Sequence, residues 1–148
     1  MEPLDFALER QLAVDLFNTT WELIDTAERS PDQDLRMVHM AHASRHHWAQ
    51  VGEPVNLARG EWQVSRVYAI LGRAEPARFH GERCLEICRE HGIADFDLAY
   101  AYEALARAAA VAGDESERDR RLAQARVAAE AVADPEDREH LDEDLDTV

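Results

Sequence analysis

The sequence predicts an all-α protein of six helices, arranged as three antiparallel helical hairpins and followed by an acidic tail. Three observations carry this. Gly52, Gly72, Gly92 and Gly113 recur at spacings of 20, 20 and 21 residues, each closing a helical pattern, where a left-handed cap favours glycine. No segment alternates polar and apolar residues with period two, so no sheet is expected. Alanine occupies 25 of the 148 positions, and with abundant Glu and Arg it raises helix propensity and permits close helix packing.

Reading between the glycines places helices near 4–29, 33–51, 54–71, 76–91, 95–112 and 115–133. The first ends before Ser30-Pro31. Proline suits a first helical turn, because the amide it lacks would have no partner there. In helix 33–51, steps of about 100° put Met37, Met40, Ala41 and Trp48 on the apolar face. His39 and His46 then point to solvent, with His42 and His47 at the two margins of the core face. Helix 54–71 opens on Pro54 and buries Leu57, Val64, Val67, Tyr68 and Leu71. Helix 76–91 opens on Pro76 and centres its apolar face on Ala77, Cys84 and Cys88, flanked by His80 and His91. Helix 95–112 is apolar almost all round, which argues that it is central. Helix 115–133 completes a single domain over residues 1–133. The tail, 134–148, holds eight acids against one arginine and is expected as a solvated short helix or disorder.

Composition removes several chemistries. The net charge is −15, and all 16 basic residues are arginine. Without lysine there is no Schiff-base enzyme, no lysine-bound pyridoxal phosphate and no P-loop lysine. So acidic a chain lacks the positive excess that nucleic-acid phosphates require. No apolar stretch approaches the ~20 residues of a membrane span, and the amino terminus does not read as a secretory signal. Two cysteines four residues apart make no disulfide framework, so a cytoplasmic location is expected.

Helical units every ~40 residues, each too small to bury its own apolar face, point to stacking. Gly72-Arg73-Ala74-Glu75-Pro76-Ala77 followed by Cys84-Leu85-Glu86 resembles the turn and second helix of a tetratricopeptide repeat. Tyr68 stands where that family usually has an aromatic residue. Gly113-Asp114 with Ala125 repeats the theme, although Arg118 replaces a small residue. The resemblance covers roughly 54–133, and the period here exceeds the family's usual ~34 residues. The stretch His42 to Tyr68 is also similar to small uncharacterised bacterial helical-repeat proteins, a likeness that carries no activity with it. The resemblance implies a right-handed stack whose first helices, 4–29, 54–71 and 95–112, line a concave surface. It also implies binding of peptides or partner proteins, with fold analogy alone as its warrant.

Two stripes fall outside the predicted core faces. On helix 54–71, Trp62 is flanked by Arg59 and Arg66. On helix 95–112 the one polar stripe is Asp97, Tyr100, Glu103 and Arg107, and Glu103 and Arg107 are spaced to pair. Burying such a stripe is costly unless its members are paired or face a wet cavity. In the stack that the resemblance implies, these stripes converge on one groove, with Asn18, Trp21 and Glu22 added by the first helix. The expected ligand-binding residues are therefore Trp21, Arg59, Trp62, Arg66, Tyr100, Glu103 and Arg107. Arginine forks and aromatic rings would hold a peptide segment or a small anionic ligand. The alternative is structural glue, with Arg59 or Arg66 paired to Glu61, Glu103 or the tail.

Other readings compete with a binding module. A small enzyme in the same cavity would use Glu103 or His47 as general base and an arginine to stabilise a developing anion. No metal or cofactor is expected, and the residues that would build a metal site are His42, His80 and Cys84. An apolar setting raises the pKa of a thiol, so Cys84 is not read as a nucleophile. Terminal hairpins lacking a neighbour leave room for a homo-oligomer.

Overall fold

A computed structural model describes residues 1–148. It contains no strand and has seven helices, not six: α1 (Phe6–Ile24), α2 (Pro31–Val51), α3 (Pro54–Ile70), α4 (Ala74–Glu90), α5 (Asp95–Ala112), α6 (Glu115–Ala129) and α7 (Pro135–Asp146). Consecutive helices pack side by side from α1 to α6, and α7 lies against α5 and α6. The helix α3 also touches α1 and α5, which brings three odd-numbered helices to one side.

Local chemistry sets the helix ends. Asp5 caps α1 by accepting from the amides of Ala7 and Leu8. Ser30 and Gln33 form a reciprocal capping box around Pro31 at the start of α2. The helix α1 stops five residues short of the expected 29. Its last turn is closed by Arg29, which donates to the carbonyls of Leu23, Ile24 and Thr26 and pairs with Asp34 at 2.8 Å. Gly113 closes α5 in the left-handed region, φ 74°, as the spacing predicts. Gly52 differs: its φ is −88°, so no left-handed cap forms. A Cβ there would stand 2.7 Å from the Trp48 carbonyl oxygen, so glycine serves close approach.

The largest apolar cluster gathers around α5, where Ala101, Ala104, Leu105 and Ala99 meet Cys84, Leu85, Ile87 and Cys88 of α4. A second cluster joins Leu23, Met37, Met40, Val64 and Val67. The acidic stretch 134–148 forms the short helix anticipated as one of its two readings, but the helix is packed on the domain and not a solvated tail. Asp134 caps α7, Pro135 opens it, and Leu141 and Leu145 are fully buried in the α5-centred cluster. Burying two leucines contributes several kcal/mol, about 1.5–3 each, which outweighs like-charge repulsion on an exposed outer face. No helix is long and apolar enough to cross a membrane.

Candidate functional site

A cleft of about 480 Å³ opens between α1, α3, α5 and α7. One of its walls is aromatic. The Trp21 ring of α1 stacks on Trp62 of α3, with centroids 5.5 Å apart. Trp62 meets Tyr100 of α5 edge-on, also at 5.5 Å, and Phe96 tilts against Tyr100 at 4.6 Å. Such offset and edge-to-face pairs suit the ring quadrupole and hold the rings in fixed relative orientations.

Behind this wall lies Glu103, which has no exposed surface. It accepts from three donors: the Trp62 indole at 2.9 Å, Arg66 at 3.1 Å and Arg107 at 2.7 Å. Arg107 reaches on to the Asp144 carbonyl and the Thr147 hydroxyl, tying α5 to the end of α7. The Tyr100 hydroxyl donates to the Asp144 carboxylate at 2.6 Å. Burial, reinforced by that carboxylate, pushes the Tyr100 phenol well above its ordinary value and keeps it a donor. Burial pulls the Arg66 guanidinium down, with Glu103 opposing. At the rim, Arg59 makes a two-pronged pair with Asp97, at 2.8 and 3.1 Å.

Of the residues singled out from sequence, Trp21, Arg59, Trp62, Asp97 and Tyr100 line the cleft, together with Cys84 of α4. Arg66, Glu103 and Arg107 do not; they form the ionic support behind it. Both guanidiniums pair with Glu103, as the pairing alternative anticipated for Arg66 and as the i,i+4 spacing anticipated for Arg107, although Arg66 Nε is left buried without a partner. Asn18 and Glu22 remain exposed on α1 outside the cleft, and Phe17 takes their place. Sequence reasoning missed Asp95, Phe96 and the three α7 residues Asp137, His140 and Asp144 that line it. Asp95 sits at φ 60°, a left-handed conformation uncommon outside glycine, and its carboxylate accepts from the amide of Ala133.

The histidines singled out from sequence, His42, His47 and His80, lie elsewhere. His47 does not face the cleft; its Nδ1 pairs with Glu9 of α1 at 3.0 Å, because the margin of α2 that carries it packs against α1. His42 and His80 do approach, with ring centroids 5.3 Å apart. His42 meets the Tyr68 hydroxyl at 2.8 Å, and His80 meets Glu61 at 2.7 Å, a carboxylate also held by Arg45. Cys84 does not join them. Its thiol engages Cys88, and that hydrogen bond together with burial pushes it well above the ordinary thiol range. No group of three or more His, Cys, Asp or Glu side chains is placed to hold a metal ion. Comparison with protein-family models, curated proteins and solved structures gives no match.

Proposed function

We propose that the chain is a ligand-binding module, a right-handed tetratricopeptide-like stack whose ligand occupies the cleft between α1, α3, α5 and α7. One observation carries this reading. Trp21, Trp62 and Tyr100 come from three helices that are not consecutive, yet their rings meet at one cleft wall. Its volume falls within the ~300–1,000 Å³ range of small-ligand sites. Behind the wall Glu103 is held by three donors and only Arg66 Nε lacks a partner, so the Trp62 ring is anchored before any ligand arrives. The aromatic surface suits a planar or alkyl group of a peptide segment or small molecule. An anion is disfavoured, since Arg66 and Arg107 are engaged by Glu103 and Arg59 by Asp97. Neither base named from sequence, Glu103 or His47, lines the cleft. Cys84 and Cys88 are both buried and free, which suits a reducing, cytoplasmic setting.

A ligand-observed NMR screen of small aromatic and alkyl fragments tests the reading. Fragments are expected to bind the wild-type chain and to lose binding in Trp21→Ala, which removes an incompletely buried ring. A screen without any Trp21-dependent fragment rejects it.

A further inference from the structure

The cleft has a charge as well as a shape. Four aspartates line it, Asp95, Asp97, Asp137 and Asp144, against one guanidinium, Arg59. That guanidinium is cancelled by Asp97. Asp95 and Asp137 take part in no ion pair, and the only ion-pair partner of Asp144 is His140, at 3.6 Å, beside the hydrogen bond it accepts from Tyr100. The one full positive charge on the cleft is therefore spent, and up to three carboxylates keep theirs. Beside them lie the rings of Trp21, Trp62 and Tyr100, whose faces carry the negative end of the aromatic quadrupole.

Building on the binding-module reading above, we infer that the cleft takes a small organic cation, an alkylated ammonium group seated among Trp21, Trp62 and Tyr100 and balanced by the α7 carboxylates. Three ligand classes can be weighed on the same residues. An anion meets uncompensated carboxylates in a partly dehydrated site, where like charges repel more strongly than in water. A neutral apolar ligand satisfies the rings but strips water from Asp137 and Asp144 without replacing it. An alkylammonium ion satisfies both sets at once, its methyl groups against the rings and its charge toward the carboxylates. The helix α7 supplies Asp137, His140 and Asp144, so the segment that carries −7 of the chain's −15 charge has a role beyond solvation.

Three isosteric probes test this: choline, its neutral analogue 3,3-dimethylbutan-1-ol, and the anion 3,3-dimethylbutanoate. Each is titrated into full-length protein while the indole N–H signals of Trp21, Trp48 and Trp62 are followed by NMR. Choline is expected to shift Trp21 and Trp62 but not Trp48. It should bind about tenfold more tightly than the alcohol, the ratio that a cation over aromatic faces produces. Asp137→Asn should weaken choline about threefold and leave the alcohol unchanged, as an exposed rim charge does. Equal, Trp21-dependent binding of choline and alcohol overturns the cation inference while the binding-module reading stands. Tighter binding of the carboxylate overturns it in favour of an anion. No shift from any probe also overturns it, and the fragment screen then decides the broader reading separately.

Discussion

The indole nitrogen of Trp62 donates to the carboxylate of Glu103, 2.9 Å away, and so joins the wall of the cleft to the ionic core behind it. Glu103 pairs with both Arg66 and Arg107, and it has no exposed surface. The position of the ring is thus fixed by a buried charge network, not by packing alone.

Removing that charge should be severe. Glu103→Gln leaves two largely buried guanidiniums without their shared carboxylate and is expected to cost about 3–5 kcal/mol. Urea unfolding should show a lower midpoint at an unchanged slope. Trp62→Phe, which leaves both arginine pairs intact, should cost about 1–3 kcal/mol. A glutamine variant no less stable than the phenylalanine variant contradicts this account of the network.

The same stripe shows how much was legible in sequence. Helical periodicity alone singled out Trp62, Arg66, Tyr100, Glu103 and Arg107 as residues off the expected core faces, and they do cluster. The i,i+4 spacing anticipated the Glu103–Arg107 pair, but it left the partner of Arg66 open among several carboxylates, because that partner sits on another helix and its distance depends on packing. Periodicity also placed His47 in the cavity, since a residue at the margin of a helix does not disclose which neighbour that margin meets. The end of α1 was missed because the closing group is the side chain of Arg29, several residues past the helix. The signal for α7 was present but weak. Asp134-Pro135 is a helix start, and Leu141 and Leu145 are one turn apart, yet eight acids in 15 residues dominated the reading.

The leucines of α7 therefore give a direct test of whether 134–148 belongs to the domain. Leu141→Ala and Leu145→Ala should each destabilise by about 2–5 kcal/mol, the range for truncating a fully buried leucine. A solvated tail would make both substitutions neutral. Thermal unfolding followed by circular dichroism separates the two outcomes.

A pH dependence follows from the cluster between α2, α3 and α4. Burial, then the neighbouring His80, lowers the His42 pKa from its ordinary 6.5. Below pH 6.5 the unfolded chain therefore takes up a proton at this site that the folded chain refuses. Stability is fully present above that pH and declines until the pH passes the lower folded value. Glu61 adds a second, more acidic window. Burial alone would raise its carboxyl, but the His80 hydrogen bond and the charge of Arg45 outweigh burial and hold it below 4.5. That contribution is lost as the pH falls from 4.5 through the folded value. Urea midpoints measured from pH 8 to pH 4 should fall more steeply for wild type than for His42→Gln between pH 7 and the folded value. Parallel curves would remove His42 as the cause.

Beside its two buried leucines, α7 is held over the cleft by a few polar links that can be cut without emptying the core. Tyr100→Phe keeps the ring against Trp62 and Phe96 but deletes the 2.6 Å hydrogen bond to Asp144. The expected cost is about 1–2 kcal/mol, because an ionised acceptor loses its donor in a partly buried setting. Since Leu141 and Leu145 still anchor the helix, the loss should appear first as local opening and not as global unfolding. Amide exchange of α7 should accelerate in Tyr100→Phe while that of α3 and α5 stays near wild type. Uniform acceleration over all helices would instead mean that α7 opens only when the whole domain does.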